Sequence, residues 1–267
     1  MRIVVTGSKG DLGHRVVHHL DGADLDVVEA SRRSGVDLRN GAGLEAALDG
    51  ADAVVHCATS QRHADQVDVG GAQRIHDIVA AQSNPAHVVV ISIVGCDRMP
   101  YPYYRAKVAS EKAVSTGRIP ATVVRATQFH ALAAMFGSAG RLGPLTPTIG
   151  DMGIQPVDID WVAATLAEVA TGPRPDGAER HHDLAGPDVF TAREIAELVA
   201  AHDGRRAPRM VRIPPVGGMM RAFSEGAVIP DPSRHPVEIG GRTFEGWLAT
   251  RPSPLPRAFH DSAPPSR

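Results

Sequence analysis

The three tyrosines of this 267-residue chain fall in one short stretch, Tyr101-Pro102-Tyr103-Tyr104-Arg105-Ala106-Lys107. On a helix, Tyr103 and Lys107 are i and i+4 and share one face. This pairing suits acid–base chemistry. An unperturbed phenol titrates near pH ~10, too high for an efficient base at neutrality. A neighbouring ammonium favours the phenolate. Tyr104, three residues before Lys107, is the alternative phenol. The reading without chemistry packs both rings and pairs Lys107 with Glu111, four residues on. Ser92 ends an apolar run, His87-Val88-Val89-Val90-Ile91, and is placed to hold a substrate oxygen.

A second group of residues opens the chain. Val5-Thr6-Gly7-Ser8-Lys9-Gly10-Asp11-Leu12-Gly13 carries three glycines at G-x-x-G-x-x-G spacing. Glycine permits positive φ and close approach of a backbone to a ligand. The run follows an apolar strand and precedes a helical pattern at Leu12, Val16, Val17 and Leu20. The free N–H groups of such a helix suit a pyrophosphate, as in the first βαβ unit of a dinucleotide site. A phosphate loop ending in Gly-Lys-Ser/Thr does not fit, because His14-Arg15 follow Gly13. Ser31-Arg32-Arg33 leave the second strand without an acid at its end. Arginine there favours a 2′-phosphate, so NADP(H) is preferred and NAD(H) remains possible. A solvated turn is the plainer reading of the two arginines.

The elements that must position these groups alternate between strand and helix. Strands are predicted at Arg2–Thr6, Leu25–Ala30, Ala53–Thr59, His87–Ser92 and Ala121–Arg125, with Val36-Asp37-Leu38 a short strand or turn. Helices are predicted from the glycine turn to Leu20, at Leu44–Leu48, Gln66–Gln82 and Tyr103–Thr116. The fold class is α/β, a doubly wound parallel sheet. Later, Gly140–Pro156 reads as an excursion over the site. Helices follow at Trp161–Ala170 and Thr191–Ala201, the latter opened by a capping box, Thr191-Ala192-Arg193-Glu194. His182–Ala185 reads as a strand and Val216–Glu225 as a helix. Residues 1–250 are expected to form one domain, with a small C-terminal substrate lobe built mainly from 130–160 and 180–250. The proline-rich 251–267 reads as an extended or disordered tail.

Composition narrows the function. With net charge −2 and a pI near 6.7, the chain lacks the footprint of a nucleic-acid or anionic-membrane binder. No apolar run reaches spanning length, and a cytoplasmic protein with two reduced cysteines, Cys57 and Cys96, is expected. No metal is expected: His14 and His18 are i, i+4, but a third ligand is not evident. Partners should be a small-molecule substrate and at most a second copy of the chain. His130 can reach a substrate pocket. Phe129, Met135, Phe136, Met219, Met220 and Phe223 can line one, though each also reads as core.

Taken together, Thr6 to Gly13, Ser92 after its strand, and Tyr103 with Lys107 resemble the short-chain dehydrogenase/reductase superfamily. Val54–Ala58, Val124–Phe129, Gln155–Asp160 and Leu184–Pro187 extend the likeness to its extended and atypical branch, with NmrA-like NAD(P)H-binding members. The resemblance implies an NAD(P)-binding Rossmann fold. It implies a cofactor loop at Gly7, Ser8, Lys9, Gly10, Asp11 and Leu12, the 2′-phosphate at Ser31 and Arg32, and adenine near Asp37 and Leu38. Ribose contacts would come from Ala58, Thr59 and Lys107, and Ala126-Thr127-Gln128 would lie near nicotinamide. Ser92, Tyr103 and Lys107 would be catalytic. The implied activity is an NADPH-dependent reduction of a carbonyl or related polarised double bond on a small, fairly apolar substrate. An epimerase or dehydratase with retained cofactor, and a non-catalytic NADP(H) sensor, are the alternatives. The sensors commonly lack the Tyr and Lys pair that this sequence has.

Overall fold

A computed structural model of the protein describes residues 1–22, 24–117, 119–138, 145–149, 152–207 and 209–255. The chain begins β1 (Arg2–Thr6), α1 (Asp11–His19), β2 (Asp26–Ala30), α2 (Leu44–Leu48) and β3 (Ala53–His56). A π-helical turn (Asp65–Val69) runs into α3 (Gly70–Ala80), followed by β4 (His87–Ile93), α4 (Pro102–Val114) and β5 (Ala121–Ala126). Then come α5 (His130–Ser138), β6 (Leu145–Ile149), β7 (Gly153–Ile154), α6 (Ile159–Thr171), β8 (Ala178–Arg180) and β9 (Asp183–Ala185). The last described elements are β10 (Phe190–Thr191), α7 (Ala192–His202), β11 (Arg209–Ile213), α8 (Gly217–Ser224), β12 (Val237–Ile239) and α9 (Phe244–Ala249). Two compact units form. The first is Met1–Ser92, Pro102–Arg125 and Val162–His181; the second is Ile93–Tyr101, Ala126–Trp161 and His182–Arg267.

The first unit is built on parallel strands in the order β2-β1-β3-β4-β5, with β8 beside the first half of β5. The inner strands read as unbroken apolar runs because helices cover both faces. From β1 the chain steps outward to β2, then returns past β1 to β3, β4 and β5. Right-handed crossovers therefore set α1 on one face and α2, α3 and α4 on the other. The register puts Thr6 opposite both Ala30 and His56, and His56 opposite Val90. The carboxyl ends of β2, β1, β3 and β4 thus form one rim, with the change of direction between β1 and β3. That crevice is where such sheets bind ligands. Val4, Val54, Val88 and Val123 join Leu44, Leu48, Ile75 and Val114 in the core.

The structure closes one open alternative of the sequence reading and shifts several boundaries. Val36-Asp37-Leu38 is a turn closed by an isolated Asp37–Ala42 bridge. The strand expected to reach Thr59 stops at His56, and beyond it Ser60 N–H donates to the Asp68 carboxylate at 3.0 Å. The helix expected from Gln66 starts as the π-helical turn, one residue earlier.

In the second unit α5 packs on α7. Ala133 and Ala134 meet Ile195 and Val199, with Phe244 and Trp247 of α9 completing the cluster. The capping box of α7 forms as expected: Glu194 N–H donates to Thr191 Oγ1 at 3.2 Å and Thr191 N–H to Glu194 Oε2 at 2.7 Å. Parts of the expected excursion are strands, β6 pairing with β11 and β7 with β10. Residues 139–144 and 150–151 of that region, and 256–267 of the expected tail, lie outside the described residues.

Candidate active site

The glycine turn joins β1 to α1 at the rim. Gly7 has φ +71°, and a Cβ there would stand 2.7 Å from the Ala58 backbone. Only glycine fits both demands. At Gly13 a Cβ would stand 2.3 Å from Gly7 O, so this glycine lets α1 seat directly against the turn. Gly10 caps α1, and no side chain among the described residues makes a capping hydrogen bond there. Asp11 opens the helix on its exposed side, while Leu12 is buried. Ser8 is fully buried, and its Oγ has no hydrogen-bond partner among the described residues. An unpartnered hydroxyl beside an uncapped helix N-terminus fits a bound phosphate. Lys9 is turned to Glu29 of β2, its Nζ 2.5 Å from the carboxylate.

Past β2, Ser31 caps a short 3-10 turn, Arg32–Ser34, and both arginines are exposed. Ser34 Oγ fastens the turn by donating to Glu29 O at 2.7 Å. Asp37 is held by the Arg39 guanidinium, whose hydrogen bonds bring its carboxyl down to about 2. Arg32 adds to that attraction. Leu38 is buried, and its carbonyl accepts from Arg74 at 2.9 Å.

The Tyr103 and Lys107 pair forms on α4, and two further groups join it. Lys107 Nζ lies 2.8 Å from Asp68 Oδ1, and both side chains are buried. Thr59 Oγ1 donates to the same Asp68 oxygen at 2.6 Å and lies 2.8 Å from the Tyr103 hydroxyl. Lys107 Nζ is 5.7 Å from the centre of the Tyr103 ring. Burial works to lower the Lys107 pKa, but Tyr103 and Asp68 outweigh it, and the net shift is upward. Glu111, the alternative partner in sequence, is instead bound by Arg125 in a buried fork with two 2.7 Å bonds. Tyr104 meets the Tyr103 ring edge-on. Ser92 is buried on β4, the strand next to β3.

His56 and Cys57 lie at the end of β3 near Lys107. Burial, with the Lys107 charge second, brings His56 down to about 4. Burial pushes the Cys57 thiol up to about 12. Asp68 is absent from the sequence reading, since an acid in a helical run ordinarily signifies a solvated face. The signal available was its place in an otherwise apolar, small-residue stretch, Val67-Asp68-Val69-Gly70-Gly71.

Ala126, Thr127 and Gln128 belong to the second unit. Thr127 Oγ1 and Gln128 Oε1 are buried and have no hydrogen-bond partner among the described residues. His130 is buried between Phe244 and Trp247, with ring centres 5.7 and 5.6 Å away, and is a core group of α5. His14 and His18 are both exposed on α1. Among the described residues, no group of three His, Cys, Asp or Glu is placed to hold a metal ion, and no helix is long and apolar enough to cross a membrane.

Residues 3–91 match the model of the NAD dependent epimerase/dehydratase family, the segment that carries the glycine turn, Thr59 and Asp68. No curated protein matches the sequence. Solved structures similar in fold include an NADPH-dependent quinone oxidoreductase from Escherichia coli, complexed with NADPH, at TM-score 0.71 and 16% identity; the match covers 92% of this chain and 98% of that one. A nucleoside-diphosphate-sugar epimerase from Staphylococcus aureus gives 0.68 at 16% identity, covering 93% and 99%. The Citrobacter sp. triphenylmethane reductase complexed with NADP(H) gives 0.66 at 16% identity, covering 86% and 92%. The doubly wound fold expected from the sequence is thus shared with nicotinamide-binding proteins.

Proposed function

We propose that the protein is an NADPH-dependent oxidoreductase of the short-chain type, reducing a carbonyl or similarly polarised double bond of a small, fairly apolar substrate. The observation that carries this reading is the Tyr103, Thr59, Asp68 and Lys107 cluster on the same rim as the glycine turn. A packing role for the rings does not require a buried charge pair beneath them. The quinone oxidoreductase and the triphenylmethane reductase support a reductase, and both are named with NADP(H).

In this reading the dinucleotide supplies the hydride when bound. The α1 N-terminus and Ser8 hold its pyrophosphate, and Arg32 and Ser31 receive the 2′-phosphate. Lys107 spends one of its three donors on Asp68 and keeps others for a ribose hydroxyl. Tyr103 gives a proton to the substrate oxygen, and Ser92 orients that oxygen. Tyr103→Phe should cut kcat at least about a hundredfold, the usual yield of a general acid. NADPH affinity, followed by nucleotide fluorescence, should stay within about twofold. Unchanged turnover would sink the mechanism.

An epimerase or dehydratase that returns its hydride is the second reading, favoured by the family match over residues 3–91. Net consumption of NADPH separates the two. A regulator that senses NADP(H) predicts tight cofactor binding with no turnover on any carbonyl or quinone.

A further inference from the structure

The buried pair beneath Tyr103 carries more than the binding of Lys107. A carboxylate only accepts hydrogen bonds, and a threonine hydroxyl has one proton. Thr59 donates that proton to Asp68 Oδ1 at 2.6 Å, so the 2.8 Å bond to Tyr103 is made by the phenol's proton. The chain therefore has one direction, from Tyr103 O–H to Thr59 to Asp68, and Lys107 N–H meets the same carboxylate oxygen from α4. Titratable groups pack around it from two elements. From the end of β3 come His56, kept neutral by burial, and Cys57, kept as a thiol by burial. From α4 come Tyr103, Lys107 and Tyr104, whose ring meets that of Tyr103 edge-on. Among these groups the charged pair beside the phenol is Lys107 and its counter-ion Asp68.

We propose that Asp68 is a positioning residue for proton transfer at Tyr103: it cancels the Lys107 charge, commits the Thr59 proton, and sets the phenol to give a proton rather than take one. The inference rests on Tyr103 being the proton-transferring group. Its consequence is a direction, reduction over oxidation. The resting bond to Thr59 keeps the proton on the phenol until a substrate oxygen competes for it. In the reductive step the Tyr103 O–H bond breaks and an O–H bond forms on the substrate. The carbon end takes the hydride of a dihydronicotinamide, and the phenolate is reprotonated from water. A free ammonium beside the ring would instead favour phenolate, the form that oxidation needs.

Asp68→Asn keeps the shape and removes the charge. Tyrosinate absorbance is titrated in the wild type and in Asp68→Asn, each against its own Tyr103→Phe version. With only Tyr101 and Tyr104 otherwise present, the difference isolates one phenol. We expect that signal, and the alkaline fall of the reduction rate, to move toward acid by about one pH unit or more in Asp68→Asn. An unmoved signal overturns the proposal. The titration needs no turnover, so it still judges Asp68 if no carbonyl or quinone is reduced and the reductase reading fails. Should Asp68→Asn not fold, Thr59→Val is expected to lower kcat at least about tenfold, with Thr59→Ser restoring it to within about threefold. Equal kcat in those two variants overturns the proposal as well.

Discussion

Arg32 is exposed at the head of the 3-10 turn after β2, which Ser31 caps and Ser34 fastens to the Glu29 carbonyl. The acid nearest the strand end is spent on Lys9. In the proposed reading the rim therefore offers an exposed cation to the 2′-phosphate of the dinucleotide. Arg32→Ala should weaken NADPH binding about tenfold or more and NADH binding less than about twofold, by the loss of charge-assisted bonds to a phosphate that only NADPH has. Equal weakening of both in a fluorescence titration would remove the argument. Residues of this kind were legible in sequence because their geometry is local. Tyr103 and Lys107 are one helical turn apart, and Arg32 follows its strand directly. Asp68 was not, because its meaning comes from a lysine on another helix. Lys107 with Glu111 shows the same limit: the spacing permits that pair, but Arg125 on the neighbouring strand outcompetes it for the carboxylate.

Elements with a strong period were read almost to the residue, as β1, α2 and the capped start of α7 show. Those with little contrast along the sequence were missed. In α5, Ala131-Leu132-Ala133-Ala134-Met135-Phe136 is apolar all round, so no stripe marks it as a helix. In α9, only the Thr243 cap and three buried apolar residues, Phe244, Trp247 and Leu248, mark a six-residue segment. The glycine turn was legible because its residues are dictated by sterics. Gly13→Ala puts a carbon 2.3 Å from Gly7 O and should lower stability by about 1–3 kcal/mol, with a loss of NADPH affinity as the turn shifts. Gly22→Ala, where a Cβ meets nothing within 4 Å, is the control and should stay within ~0.5 kcal/mol. Similar melting temperatures for the two variants would refute the packing role given to Gly13.

The molecule as a whole should be sensitive to acid. His56 in the first unit and His130 in the second both titrate near 4, chiefly because they are buried. In the unfolded chain each titrates near ~6.5. Between those values the unfolded state binds more protons, so stability is intact above about 6.5 and is lost as pH falls toward 4, by up to ~3 kcal/mol for each. Denaturant unfolding across that window should show the decline, and His130→Leu should flatten it. An equally steep decline in His130→Leu would exclude its share.

The chain changes unit after Ser92, Tyr101, Arg125, Trp161 and His181. Neither unit is therefore a continuous length of polypeptide. A gene fragment cut at any one of these points encodes incomplete versions of at least one unit, and swapping the second unit for that of a relative would require several splices at once. Under the proposed function, new substrate preferences are more readily reached by point changes and loop insertions than by exchange of whole segments.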